Sequence, residues 1–564
     1  MVRAWVVVAL ALALSAQERV RPNVLLVTVD ALRADRVTDR LTPGLVALAR
    51  RGAAFARTYA HAPLTLPSHA SILTGLLPPA HGVRNNGFRL DEGVVTLAEA
   101  FADAGYRTGA FVGGSALDAR FGLAQGFHEY DDRYDVLQGP SVSSAFRQGA
   151  RPSPAVLAAA AAWIATQPAP WFAWAHLRDP HAPYVSYDSA VRSADTSLGA
   201  FLASLGQDTV DRTLVIVTAD HGESLGEHGE RTHGLFAYEG VMRVPLVVAG
   251  PGVPLRVVRT PVTSHADVMP TILDLAGVIG PRSDGRSRVP ALRGEEMPEH
   301  PVYVEALDAA LMRGGAPLTG VVSGQWKFID LPVPELYDVV SDPGEQTNRV
   351  AAEPGLATRL RDLTVSSRTA SFRADGAGSL AEPEARARLR SLGYVGSASW
   401  RLGASRVEDD PKRLLPLHLA YEGALETAGG DPEAAIRQLQ LIVQQRPDFT
   451  AAIDATGALL IARGRPKEAV ALLGDARAGG LRHRVIAERL AAALLAAKDP
   501  RGAVAVLQPV VKADEWAADA RFILARAHSA IGQPIEAAEQ LRAALRIDPT
   551  FAAASDLLAR LTRR

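Results

Sequence analysis

Three short stretches of the chain carry side chains that could do chemistry as a set. In residues 61–86, HAPLTLPSHASILTGLLPPAHGVRNN, Pro67 suits the first turn of a helix, because its missing N–H would be unpaired there anyway. Residues 68–74 then read as a short helix, and Gly75 supplies a left-handed stop. Thr65 therefore falls at a helix mouth, where unpaired N–H groups and the dipole favour negative charge. A hydroxyl placed there can attack a phosphate or sulfate while the helix end receives the charge. Taken alone, such a threonine is an ordinary N-cap. Two other stretches change that reading: Asp30 after the apolar run 23–29, and Asp220-His221-Gly222 after the apolar run 214–218. Asp30, Asp220, His221 and the Thr65 oxygen make a mixed oxygen and nitrogen shell for a divalent cation. Such an ion would lower the hydroxyl's pKa and screen its approach to an anionic substrate.

The elements that must position these groups are legible in the same stretches. NVLLVTV and LVIVT are continuous, β-branched and apolar, as buried parallel strands are. Both deliver their polar residues at the carboxyl end, the edge where ligands collect in open α/β sheets. Residues 171–175, WFAWA, read as a further buried strand that carries His176 to the same rim. Helices are expected over 96–104, ending at Gly105, and over the alanine-rich 153–165. Arg192 and Asp195, three apart on a helix, read as a surface ion pair. Glu223 and Glu227 read as a solvated helix face.

With 564 residues the chain exceeds one ordinary domain. A hydrophobic content of 48% and a formal charge of −1 describe a globular chain without a nucleic-acid footprint. The absence of cysteine excludes disulfides, zinc–thiolate sites, iron–sulfur clusters and an acylated cysteine anchor. Arg3, the apolar AWVVVALALAL and the small residues of 13–16 form a secretory leader, too short to span a bilayer comfortably. The chain is therefore expected to be exported, periplasmic or secreted, with no membrane span once residues 1–16 are removed; an uncleaved anchor is the alternative.

NVLLVTVDALRADR, TLPSHASILTGLLPPAHGVRNN, HLRDPHAPY, VTADHGESLGEHG, YEGVMRVPLVVAGPG and ELYDVVSDPGEQTN occur in that order. As a set they resemble successive landmarks of the sulfatase branch of the alkaline phosphatase superfamily. The resemblance implies a doubly wound α/β domain over 22–364 with a metal at the strand ends. It matches Asp30, Asp220 and His221 to metal ligands and Thr65 to the nucleophile position. It matches Asn86 to an asparagine that contacts the transferred group in related phosphodiesterases, and His181 to a substrate-binding histidine. His233 lies near where many sulfatases place a lysine. A divalent ion is implied, zinc or manganese ahead of calcium. His176, Asp179, His181, His233 and His265 leave a second ion open.

The departures from that family point one way. Sulfatases use a cysteine or serine oxidised to formylglycine, but oxidising Thr65 would give a ketone, so that route is closed. His69 stands where the family has an arginine, and Ala31 replaces the second aspartate of its usual pair. Threonine-nucleophile relatives transfer phosphoryl groups by in-line displacement. Phosphate esters, phosphodiesters foremost, are the expected substrates. Sulfate-ester cleavage without formylglycine is the alternative, because family does not fix substrate.

Residues 365–410 read as a linker containing a docking segment, LGYVGS. Beyond it, Pro432, Pro466, Pro500 and Pro534 recur every 34 residues, each followed three residues later by Ala435, Ala469, Ala503 or Ala537. Gly430, Gly464, Lys498 and Gly532 precede them. This period resembles the tetratricopeptide repeat, an all-α solenoid, here over 411–564. Its inner groove offers a site for a protein or peptide partner, or else covers the enzyme. A catalytically idle scaffold acting through these repeats is the reading from a different class.

Overall fold

The computed structural model describes residues 21–136, 149–181, 184–370 and 405–563. The leader 1–16 and most of the linker, LGYVGS included, lie outside the described residues. Strands β1 (Asn23–Val29), β2 (Gly52–Tyr59), β3 (Arg107–Val112) and β4 (Glu129–Asp131) come first, followed by the small ribbon β5 (Asp135–Val136) and β6 (Gly149–Ala150). β7 (Trp171–Leu177), β8 (Thr213–Ala219), β9 (Arg243–Ala249), β10 (Arg256–Val258) and β11 (Thr263–Ser264) follow. Apart from the ribbon these form one sheet in the order β10-β2-β9-β8-β1-β7-β3-β4, with β11 also on β2.

Every residue of β1 is buried, and the strand pairs in parallel with β7 on one side and β8 on the other. Alternation sends its side chains to opposite faces. Val24 and Leu26 pack with Leu66, Ile72, Phe101 and Ile272, whereas Leu25, Val27 and Val29 pack with Leu45, Val156, Val191 and Leu198. These partners come from helices on both faces of the sheet. At about 1.5–3 kcal/mol for each fully buried Val or Leu, this strand is a main anchor of the domain. The sheet is nevertheless mixed: β9 runs antiparallel to both β2 and β8.

A second, antiparallel sheet contains β12 (Val302–Ala306), β13 (Leu318–Ser323), β14 (Trp326–Asp330) and β15 (Glu335–Asp338). Val321, Phe328 and Leu336 bury against Ala357 and Leu360 of the helix Pro354–Ala370. Lys327, fully buried on β14, lies 3.0 Å from Glu345 and 3.4 Å from Glu239, and the Tyr59 hydroxyl of β2 donates to Glu239. That network fastens the two sheets together.

From Pro411 to Thr562 the chain is a row of antiparallel helices. Pro432, Pro466, Pro500 and Pro534 each open a helix, where proline costs no hydrogen bond. Ala435, Ala469, Ala503 and Ala537 are all completely buried, as close helix approach requires. Gly464 and Gly532 take left-handed φ values of 70° and 78°, and Lys498 is held in the same conformation at 66°.

The array touches the α/β domain near both ends. The Arg313 guanidinium donates to His418 Nδ1 and stacks over Tyr421, both on the helix Pro411–Ala428. Arg446 donates to the Gly314 carbonyl and Ala316 N–H donates to the Asp409 carbonyl. At the far end Arg120 pairs with Asp519 at 3.1 Å, and Arg89 lies 3.5 Å over the Trp516 ring.

One expectation is corrected here. Asp195 makes no surface ion pair with Arg192; it is buried and accepts the Gly44 and Leu45 N–H groups, both at 2.8 Å. Those N–H groups open the helix Pro43–Ala49 and have no partner within it. Spacing along one helix cannot reveal the unpaired end of another.

Candidate active site and metal centre

The register of the central strands sets the site. Thr28 of β1 is level with His176 of β7 and Thr218 of β8, so Asp30 and Asp220 leave the sheet side by side. The ligand atoms of Asp30, Asp220 and His221 all lie within 4.8 Å of one another, and all three residues are buried. His221 Nδ1 donates to the Gly222 carbonyl at 2.8 Å, which turns Nε2 toward the carboxylates. That Nε2 stands 3.6 Å from Asp30 Oδ1 and 3.5 Å from Asp220 Oδ2. Asp30 Oδ1, Asp220 Oδ2 and His221 Nε2 have no hydrogen-bond partner. Buried polar atoms left this way are costly unless something else satisfies them. Two carboxylates and an imidazole suit a divalent cation, and this donor set fits one.

Electrostatics say the same. Burial pushes the Asp30 carboxyl up, but the imidazoles of His181, His176 and His221 outweigh it and hold the group well below its ordinary range. Burial and then the Asp30 charge drive Asp220 well above its ordinary range. Without a cation, two adjacent buried carboxylates resist carrying two charges.

Thr65 is the first residue of the helix Thr65–Thr74, one position inside the expected N-cap, and is 3% exposed. Gly75 closes the helix at φ 67°. Next to Thr65, the Leu66 N–H donates to Asn86 Oδ1 at 3.0 Å, so Asn86 sits on the helix mouth. The Thr65 carbonyl is tied to the Asp30, Asp220 and His221 set through a relay. His69 Nδ1 donates to it at 2.7 Å, and burial, then His176, holds His69 neutral. His69 Nε2 must then accept from the Thr28 hydroxyl at 2.9 Å. Thr28 Oγ1 also receives the Trp174 indole N–H at 3.0 Å, which leaves one lone pair for His176 Nδ1–H at 3.1 Å. His176 thus turns its Nε2 toward Asp30 Oδ2, 3.7 Å away.

The two further histidines line up outward from the cluster. The His233 ring centre is 4.2 Å from that of His221, and the His181 ring is 5.1 Å from His233. Burial, then the His221 charge, lowers His233 to about 3. Its Nδ1 meets Glu223 Oε1 at 2.8 Å. Glu223 is therefore no part of a solvated face: it is fully buried, and burial raises it to about 8. Glu227 opens the short helical turn Glu227–Gly229 and is exposed, and it also takes the Arg33 guanidinium at 2.7 Å. Residues 221–226 form an irregular loop pulled against the domain, where helical spacing does not apply.

Of the residues considered for a second ion, Asp179 is spent elsewhere, accepting from Ser153 N–H and Ser193 Oγ. His265 Nε2 donates to the Ala219 carbonyl, and its Nδ1 is unpartnered. Among the described residues, one group of three or more candidate ligands gathers, the Asp30, Asp220 and His221 set.

Tyr187 is a site residue that no motif announced. Ala31, directly after Asp30, has a left-handed φ of 57°. Its N–H donates to Asp220 Oδ1 and its carbonyl receives the Tyr187 hydroxyl at 2.6 Å. The same hydroxyl accepts the Arg33 N–H at 3.0 Å, so one phenol clamps the turn that aims Asp30.

Residues 22–278 match the family model for sulfatases, residues 226–365 that for the C-terminal part of N-sulphoglucosamine sulphohydrolase, and residues 494–561 that for a tetratricopeptide repeat. The chain is 28% identical to a choline-sulfatase of Rhizobium meliloti (strain 1021), over 61% of this chain and 86% of the relative. It is 25% identical to a Δ4,5-hexuronate-2-O-sulfatase of Bacteroides thetaiotaomicron, over 60% and 86%. Among solved structures, a 2-O GAG sulfatase superposes with a TM-score of 0.53 at 22% identity, covering 63% of this chain and 93% of that one. A phosphonate monoester hydrolase of Agrobacterium radiobacter gives 0.52 at 23%, covering 62% and 96%. The chain thus carries a sulfatase domain, matched over residues 22–278, with an α/β fold, followed by a region that matches tetratricopeptide repeats.

Proposed function

We propose that this protein is an exported, metal-dependent hydrolase or transferase that cleaves phosphate esters, phosphodiesters foremost, with Thr65 as nucleophile. The observation that supports the reading is the buried Asp30–Asp220–His221 set beside His69, whose Nδ1 lies 3.8 Å from Asp220 and 2.7 Å from the Thr65 carbonyl, with Asn86 on the neighbouring Leu66 N–H. When bound, a divalent ion (zinc or manganese ahead of calcium) would supply Lewis acidity and charge neutralisation at the reacting oxygens. Asp30, Asp220 and His221 would hold it, with the Thr65 oxygen completing the shell. Thr65 Oγ attacks phosphorus as the ester oxygen leaves with the bonding pair, giving a phosphothreonine that water or a second alcohol then cleaves. Asn86 Nδ2 steadies the equatorial oxygens, and His181 and His233 bind substrate at the outer rim.

Export rests on the leader sequence, and no helix among the described residues is long and apolar enough to cross a membrane. The division into leader 1–16, catalytic domain 22–364, linker 365–410 and repeats 411–564 belongs to the same proposal. Sulfate-ester cleavage is the second reading, favoured by the relatives named as sulfatases. Turnover of aryl phosphate, phosphodiester and sulfate esters with Zn²⁺, Mn²⁺ or Ca²⁺ separates the two. The phosphoryl reading expects Thr65→Ala to lower kcat by about a thousandfold or more. It also expects mass spectrometry to find a phosphorylated Thr65 peptide in quenched wild type. Turnover unaffected by Thr65→Ala overturns the nucleophile, and turnover of sulfate esters alone overturns the substrate class.

A further inference from the structure

We infer that the repeat array is a working part of the active site, and that Arg313 is the positioning residue through which it holds Asn86 at the helix mouth. The array reaches the site by a continuous series of polar contacts. Asn86 Oδ1 accepts the Leu66 N–H at 3.0 Å, and the Asn86 N–H in turn donates to Asn85 Oδ1 at 2.7 Å. Asn85 Nδ2 donates to Asp308 Oδ1 at 3.2 Å. The other oxygen of Asp308 receives Arg313 Nε at 2.6 Å. Arg313 then leaves the domain: its Nη1 donates to His418 Nδ1, and its guanidinium lies 5.5 Å from the centre of the Tyr421 ring. Both are on the first helix of the array.

The geometry makes Arg313 the joint of this series. A planar guanidinium can serve a carboxylate on one edge, an imidazole on another and an aromatic face at once, which a lysine cannot. Removing the array-side contacts leaves Arg313 free to swing, and Asp308 then loses the partner that fixes it toward Asn85. The flanking Arg84 is held independently, forming two bonds to the buried Glu305 at 2.6 and 2.5 Å. The array therefore adjusts residues 85 and 86 on an already anchored loop. This is a function in cis for a repeat domain, and its catalytic consequence rests on the role proposed above for Asn86.

The test uses full-length protein and two readouts. Hydrogen exchange in Arg313→Ala and His418→Ala should speed the amides of residues 84–87 about tenfold or more, while β1 and β8 keep wild-type protection. In steady-state turnover, kcat should fall about tenfold with KM within about twofold, because alignment is lost and binding is kept. Arg313→Lys should recover part of kcat, since it keeps a charge against Asp308. Should Arg313→Ala unfold the sheet, His418→Ala and Tyr421→Leu carry the test from the array side. Unchanged exchange at 84–87 in the folded variants overturns the inference. A wild type that turns over no ester defeats the proposed chemistry instead, and leaves the exchange result to judge the coupling.

Discussion

Ala31 pays a conformational penalty that its neighbours offset. A left-handed φ of 57° in a residue with a Cβ costs about 1–2 kcal/mol, and bonds to Asp220 and Tyr187 hold it there. Tyr187→Phe leaves a buried carbonyl and the Arg33 N–H short of a partner. It should lower stability by about 1–3 kcal/mol in urea unfolding. Ala31→Gly should change stability by less than about 1 kcal/mol, because relief of strain offsets the looser unfolded chain. Asp30, Asp220 and His221 were legible in the sequence because each sits directly after a strand whose pattern is local. Tyr187 was not: its partner is 156 residues away, and a tyrosine opening a helix reads as packing. Glu223 is illegible for a related reason: it lies on a loop whose course depends on His233 and Arg33, where helical spacing does not hold.

At the scale of elements the repeats were the most legible part. Their prolines and alanines act within one turn of helix, so a period in sequence becomes a period in packing. Lys498 breaks the pattern, holding φ at 66° where Gly464 and Gly532 sit at similar angles. Lys498→Gly should therefore raise the array's stability by about 0.5–1 kcal/mol, read as a higher urea midpoint. Glu488 gives the array a pH dependence. Burial raises it from 4.5 to about 7, with Arg484 opposing and the Asp519, Asp514 and Asp454 charges adding to the rise. The folded array thus binds this proton more tightly than the unfolded chain does. Its contribution is fully present below pH 4.5 and is lost as pH rises to about 7, flat beyond. Circular dichroism should show a falling urea midpoint over that window, and Glu488→Gln should remove the slope. The antiparallel turn of β9 and the buried Lys327 were not legible. A charged residue in a strand reads as solvent-facing until its two carboxylates, on distant segments, are known.

For the molecule as a whole, a cation that binds only the folded α/β domain must stabilise it. At a hundredfold excess over Kd, added Zn²⁺ or Mn²⁺ should contribute about 2.7 kcal/mol, seen as a higher Tm that a chelator reverses. Asp220→Asn should abolish that shift. If it persists undiminished, the ion binds elsewhere. The two ends of the array carry a different lesson. Solenoids ordinarily gain or shed units freely over evolutionary time, since each unit contacts only its neighbours. Here His418 is held by Arg313 at one end and Asp519 by Arg120 at the other, so the span between those arginines acts as a ruler. Inserting or excising a single 34-residue unit between His418 and Asp519 would move one end off its anchor, so the number of units between those two points is set by the body they lie against.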